Sequence, residues 1–200
     1  MKKLIMGFLL SVCLMGQAVA EIDPQSLVKQ TSEKILSQLK AEQALLNEEP
    51  GRIYELVDEV LLPHFDFEYM SQMVLAKYWR RASQEERVAF TAEFRNLLVR
   101  TYAKSLNQYV DQEIIFLPFR AGRDEDQATV KTEVEQPGSF PIPIDYRLHY
   151  KNESWLLFDV LIDGVSLVTN YRSSFAKAIR QEGIQSLIDS LAKKNQQAQG

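Results

Sequence analysis

The chain has 200 residues, with 23 Lys and Arg against 27 Asp and Glu, a formal net charge of −4, one cysteine and two histidines. That balance excludes a nucleic-acid binder, which needs a basic surface, and argues against tight adsorption to anionic lipid. The histidines, His64 and His149, are far apart and lack metal-ligand spacing, so no metal site is expected.

The first twenty residues read as an export signal. Lys2 and Lys3 make a basic start, Leu4 to Leu14 an apolar core, and Ala18-Val19-Ala20 an A-x-A cleavage site before Glu21. The segment is too short and wrongly flanked to span a bilayer. Lipidation at Cys13 is the competing reading, and bulky Val12 immediately before it speaks against that. Cleavage after Ala20 removes the only cysteine and leaves 21 basic against 27 acidic residues, a net charge of −6. The remaining 180 residues must then fold in an oxidising compartment without a disulfide, and they suffice for a core of their own.

Helices come first in the mature chain. Asp23-Pro24 opens one, with Leu27, Val28, Thr31, Ile35 and Leu39 on one face, and residues 47–51 break it. A second runs from Arg52, turns Ile53, Leu56, Val57, Val60 and Leu61 inward, and stops at Pro63. Asp66 caps a third, where Phe65 and Met70 hold the positions of a hydrophobic staple and Met70, Met73, Val74 and Tyr78 share a face. Ser83 and Glu86 form a capping box for a long fourth helix carrying Phe90, Phe94, Leu97, Leu98, Tyr102, Leu106 and Tyr109.

After Tyr109 the period drops to two. Val130, Thr132 and Val134 alternate with charged residues, and Ile142, Ile144, Tyr146, Leu148 and Tyr150 alternate again. With residues 113–117 and 155–162 they predict a four-stranded antiparallel sheet, turning at residues 124–126, Pro137-Gly138 and residues 152–154. After the last strand the chain turns at Asp163-Gly164 and runs through Val165, Ser166, Leu167 and Val168 before the capping residues Thr169 and Asn170. That apolar step needs a cover, from the core or from an apolar ligand. Helices around Phe175, Ile179, Ile184, Leu187 and Leu191 close the chain, and a polar tail over residues 193–200 is expected to fray. Residues 21–192, without repeat or long linker, read as one α+β domain.

Catalytic patterns are missing. Gly164-Val165-Ser166 resembles the start of a nucleophile elbow, but Val168 stands where the second glycine is required. No glycine-rich phosphate loop exists. Asp159 and Asp163 flank the end of the last strand and could act as an acid pair, although a strand-end turn and an arginine partner explain them more simply. What remains is a stock of large side chains on inward faces: Tyr78, Trp79, Phe90, Phe94, Tyr102, Tyr109, Tyr146, Trp155 and Phe158. Such stripes usually make a solid core. The adaptable side chains of Met70 and Met73, and the uncovered step from Val165 to Val168, point instead toward a lined cavity.

Two signatures then identify a resemblance. The front one is Leu62-Pro63-His64-Phe65-Asp66-Phe67, followed by Met73-Val74-Leu75-Ala76-Lys77-Tyr78-Trp79-Arg80, Ser83 with Glu86-Arg87, and Thr101-Tyr102-Ala103. The back one is Trp155, Phe158-Asp159-Val160 and Asp163-Gly164-Val165-Ser166-Leu167, then Asn170-Tyr171-Arg172, Phe175, Gly183 and Leu187. In this order they are similar to the MlaC family, also called toluene-tolerance auxiliary proteins. Ala76 departs from the pattern, which usually has glycine there, and is read as a small change in helix packing.

The resemblance implies a periplasmic phospholipid carrier rather than an enzyme, with no cofactor. It implies a twisted antiparallel sheet with packed helices, a nuclear transport factor two-like cone whose apolar interior takes the acyl chains of a diacyl phospholipid. The implied partners are an outer-membrane lipoprotein complex and an inner-membrane lipid ABC transporter complex, between which lipid moves so that the outer membrane keeps its lipid asymmetry. Arg80-Arg81 and Lys193-Lys194 are candidate docking pairs, and no heptad or long edge strand argues for more than a monomer. The candidate lining is Met70, Met73, Val74, Tyr78, Leu98, Tyr102, Tyr146, Val165, Leu167 and Val168, about half of which are expected to touch lipid. On this reading Val168→Glu empties the cavity and leaves the fold intact. Two alternatives stay open: an adaptor with a solid core and only protein partners, and a cone-fold enzyme with a buried carboxylate, for which Asp159 is the best candidate.

Overall fold

The structure, a computed structural model, describes residues 23–108, 110–120, 122 and 124–197. The expected signal segment, Tyr109 and the last three residues of the tail lie outside them.

Local sequence signals account for most of the helix boundaries. Helix α1 (Pro24–Ala41) starts where Asp23 Oδ1 accepts the N–H groups of Gln25 and Ser26, both at 3.0 Å. It stops at Glu42, and α2 (Gln43–Glu48) follows as a separate piece, so the one helix expected here is two. Helix α3 (Arg52–Val60) is fastened by Arg52, whose guanidinium reaches Glu42 and Glu55 at 2.8 Å and Glu59 at 3.3 Å. Helix α4 (Phe67–Leu75) begins at Asp66, where Oδ1 accepts the Tyr69 N–H at 2.9 Å. Ahead of α5 (Gln84–Gln108) the capping box forms in full. Ser83 N–H donates to Glu86 Oε2 at 2.8 Å, and Glu86 N–H donates to Ser83 Oγ at 3.2 Å.

Helix α4 ends on Ala76 at φ 50° and ψ −117°, a conformation that a Cβ resists. Glycine suits this position for its backbone. Helix packing, the reason inferred from the sequence, plays no part at this exposed residue.

The sheet has five strands in the order β1-β2-β3-β4-β5, every neighbouring pair antiparallel. Four match the expected ones: β1 (Ile114–Phe116), β2 (Gln127–Val134), β3 (Ile142–Lys151) and β4 (Ser154–Ile162). The fifth corrects the four-stranded expectation. β5 (Val165–Ser166) pairs with the end of β4, Leu161 opposite Ser166 and Ile162 opposite Val165, across a turn with Asp163 at φ 50° and Gly164 at φ 75°. Both central residues of a type I′ hairpin turn need positive φ, which Asp-Gly supplies.

In β2, buried and exposed residues alternate, as in a sheet with one covered face. Ile142, Ile144, Tyr146 and Leu148 of β3 share the covered face by register with Val134, Ile162, Val160 and Leu157. A bulge shifts the pairing from Arg147–Asp159 to Leu148–Leu157 and leaves Phe158 as the extra residue. Phe158 packs with the helices, edge-on to Tyr69 at 5.4 Å.

Helix α6 (Leu167–Gln197) bends at Gly183, whose φ of 86° and ψ of 169° are not helical. With α4 and α5 it encloses an aromatic block in which Phe90 stacks on Phe94 at 5.7 Å and Phe175 meets Phe90 edge-on at 5.8 Å. The helix outlasts the expected start of fraying at Lys193. Asn195 is buried, and its Nδ2 donates to the Glu93 carbonyl at 2.9 Å and to Glu93 Oε2 at 2.7 Å.

Candidate functional site

Between the covered face of the sheet and helices α1, α3, α4 and α5 lies a cavity of about 470 Å³. Its floor is Ile114, Val134, Ile142, Ile144, Tyr146, Leu157, Val160 and Ile162 from the strands. Helix α1 gives one wall through Val28, Thr31, Ser32, Ile35 and Leu36, and α5 gives another through Leu98, Val99, Tyr102, Ala103 and Leu106. Among the described residues no Asp, Glu, Lys or Arg lines it; the polar groups are hydroxyls and His64.

These hydroxyls and the imidazole are held neutral. Burial, with the neighbouring Tyr171 hydroxyl, pushes the Tyr102 phenol up to about 12. Burial also raises the Tyr146 phenol, against the opposing hydrogen bond with Thr132. Desolvation, helped by the charge of Lys34, lowers His64 below its ordinary value, which favours the uncharged ring. A wall of aliphatic side chains with uncharged polar groups can solvate hydrocarbon.

Of the ten residues expected to line a cavity, Met70, Leu98, Tyr102, Tyr146 and Leu167 do. Val74 and Val168, each 1% exposed, sit instead in the aromatic block between α4, α5 and α6, with Met73 and Tyr78 packed against it. Val165, opposite Ile162 on the short strand β5, is 57% exposed and lies outside the cavity wall. The apolar step after β4 therefore has three different surroundings: solvent for Val165, cavity for Leu167 and solid core for Val168. Its cap is also earlier than expected. Ser166 Oγ accepts the Thr169 N–H at 3.0 Å, so Thr169 and Asn170 lie inside the helix.

Asp159, the candidate buried acid, is 2% exposed but lies outside the cavity wall. Its register partner is Arg147, so it belongs to the opposite face of the sheet. Its Oδ2 accepts from Ser166 Oγ at 2.6 Å and lies 3.4 Å from Arg147 Nη1, and its Oδ1 accepts the Val168 N–H at 3.1 Å. The carboxylate anchors the start of α6. Asp163 serves as the turn residue.

A second buried acid closes the far end of the sheet. Asp66 Oδ2 accepts from Lys151 Nζ at 2.8 Å and lies 3.2 Å from His149 Nε2, whose ring stacks on Tyr69 at 4.6 Å. Burial pushes the Asp66 carboxyl up, and the Lys151 and Tyr69 hydrogen bonds outweigh it, leaving the group below its ordinary value. The Asp66 N–H also donates to the Leu157 carbonyl at 2.9 Å, which joins the Phe65–Asp66 segment to the bulge of β4.

Sequence reasoning missed the α1 wall and the strand floor other than Tyr146. The residues were visible as inward positions, but periodicity alone does not tell an inward side chain that meets another from one that meets a void.

Comparison with known proteins agrees with this geometry. The match to the MlaC protein family spans residues 29–193. The chain is 28% identical to the intermembrane phospholipid transport system binding protein MlaC of Haemophilus influenzae, over 92% of this chain and 88% of that one. It is 27% identical to toluene tolerance protein ttg2D of Pseudomonas putida, over 82% and 77%. Its fold superposes with a TM-score of 0.81 on the phospholipid-binding protein of Ralstonia solanacearum, solved in complex with a phospholipid. The two are 29% identical, and the superposition covers 89% of this chain and 99% of that one.

Proposed function

The chain belongs to the MlaC protein family, and on that premise we propose that it is a soluble periplasmic carrier of diacyl phospholipid, not an enzyme. The observation that carries the reading is the cavity of about 470 Å³, whose wall among the described residues has no Asp, Glu, Lys or Arg. Hydrocarbon exposed to water costs roughly 0.8 kcal/mol per methylene, so two long acyl chains cost on the order of 20 kcal/mol and do not cross an aqueous gap unaided. A carrier with an interior as apolar as a bilayer makes the exchange nearly neutral and needs no catalytic group.

The same reading takes the bulged sheet and its helices as a nuclear transport factor two-like cone. Residues 1–20 are the cleaved export signal, and the protein works as a monomer. It moves lipid between an outer-membrane lipoprotein complex and an inner-membrane lipid ABC transporter complex, so that the outer membrane keeps its asymmetry. The intermembrane phospholipid transport in the name of the Haemophilus relative supports this route. Met70, Leu98, Tyr102, Tyr146 and Leu167 are the proposed lipid contacts among the residues singled out from sequence.

The test is Ile144→Trp, which fills the floor of the cavity from a central strand. Native mass spectrometry of the mature protein, purified without detergent, should find a diacyl phospholipid on the unaltered chain and at least tenfold less on the variant, with the circular dichroism unchanged. Unaltered protein that neither carries lipid nor takes it up from vesicles would sink the carrier reading.

A further inference from the structure

We propose that the cleft between helix α1 and edge strand β1 is the headgroup site of the carrier, and that it is built for a zwitterionic, phosphoethanolamine-type head. The proposal rests on the carrier reading and adds where the lipid emerges and which head it favours. The cleft has a volume of about 390 Å³ and is lined by Lys29, Ser32, Glu33, Leu36 and residues 113–116. Ser32, Leu36 and Ile114 also line the apolar cavity, so the two spaces meet at a neck made of these three residues. A path from the cavity outward thus runs from aliphatic wall, past one hydroxyl, to charged side chains. An amphiphile lying through the neck matches that gradient from tail to head.

The charges in the cleft are of both signs. Lys29 and Glu33, one turn apart on α1, are 57% and 64% exposed and 4.0 Å apart, at the limit of an ion pair, so each is available to a ligand. Glu113 stands across from them at the start of β1 and is exposed. The strand itself offers donors. Leu117 N–H donates to Lys131 and Glu135 N–H donates to Glu113, which directs these residues toward β2. Antiparallel alternation then turns the N–H groups of Ile114 and Phe116 to the free outer edge, on the cleft side.

A phosphodiester at the neck meets Lys29, the Ser32 hydroxyl and this strand edge. An ammonium one ethylene further out meets Glu33 and Glu113. A glycerol head has no cation to offer the two carboxylates and leaves the cleft with a surplus of negative charge. The preference is modest because the groups are wet: about two- to fivefold in occupancy.

The experiment offers the mature protein mixed vesicles of equal phosphatidylethanolamine and phosphatidylglycerol, recovers the protein, and weighs the extracted lipids. The unaltered chain should hold a two- to fivefold excess of the ethanolamine lipid. Glu33→Gln with Glu113→Gln should bring the ratio to about one, and Lys29→Glu should lower both lipids together. Glu182→Gln with Asp189→Asn on α6 makes the same change in net charge elsewhere and should leave the ratio as it was. A ratio near one in the unaltered chain, a ratio that ignores the cleft variants, or one that moves equally with the α6 pair overturns the headgroup site while carriage stands. Protein that takes up neither lipid fails at the level of the carrier reading and takes this inference with it.

Discussion

Asp159 Oδ1 accepts the backbone N–H of Val168 at 3.1 Å, so the last full strand and the last helix are joined through one buried carboxylate. Its other oxygen holds the Ser166 hydroxyl, the residue that caps the same helix. Both oxygens are engaged by the protein's own chain.

Asp159→Ala should therefore destabilise the fold by about 1–3 kcal/mol, the cost of an orphaned N–H and hydroxyl plus a lost cap. Asp159→Asn keeps one acceptor oxygen and should cost less than half as much. Thermal unfolding of both, with lipid transfer from vesicles measured alongside, checks the assignment. Stable Asp159→Asn protein that binds lipid but has lost a chemical activity would restore the buried-acid reading.

Val168→Glu should not give a folded, lipid-free protein, contrary to the expectation from sequence. Val168 is 1% exposed inside the aromatic block, where an unpaired carboxylate costs several kcal/mol. Leu167→Glu, one residue earlier, faces the cavity and should lose lipid first. Soluble yield and the cooperativity of urea unfolding separate the two variants.

The Asp66–Lys151 pair should give the fold a pH-dependent part. Asp66 lies below its ordinary 3.8 in the folded state, so its contribution is present above about pH 4 and is lost as pH falls through the folded value. The Asp66 hydrogen bond raises Lys151 above 10.5, so its share is complete below that pH and is lost as pH climbs through the folded value. Lys151 is 45% exposed, and screening holds the whole pair to about 1–2 kcal/mol. Asp66→Asn should lower the neutral-pH stability by that amount and flatten the acid limb of the unfolding curve below about pH 4. An acid limb as steep in the variant as in the unaltered chain would assign the loss to other carboxylates.

Ala76→Gly should stabilise the protein by about 1 kcal/mol, an unusual direction for a glycine substitution. At φ 50° and ψ −117° the methyl group is strained in the folded state, and its removal outweighs the extra freedom gained by the unfolded chain. Differential scanning calorimetry should show a rise in Tm of a few degrees. A fall in Tm would mean that α4 ends differently.

Where local chemistry determines an element, the sequence revealed it. The Ser83–Glu86 capping box, the Asp66 cap and the stop before Pro63 need only neighbouring residues to form, and all three are present. Strand β5 escaped notice because two residues are too short to show alternation, although Asp163-Gly164 is a strong hairpin signal. The division of the apolar residues between core and cavity was the least legible part. Val74 and Met70 share one helix face, yet Val74 meets only protein while Met70 borders the void. That difference depends on which distant elements pack over each residue, a tertiary arrangement that no short window of sequence encodes.

Of the buried residues in the aromatic block between α4, α5 and α6, only Met70 and Leu98 border the cavity. Phe90, Phe94 and Phe175 make their ring contacts with one another and are not part of the cavity wall. The cavity and the block are thus largely separate parts of one molecule, so substitutions in the cavity wall away from Met70 and Leu98 should change what the cavity holds more than how firmly the helices cohere.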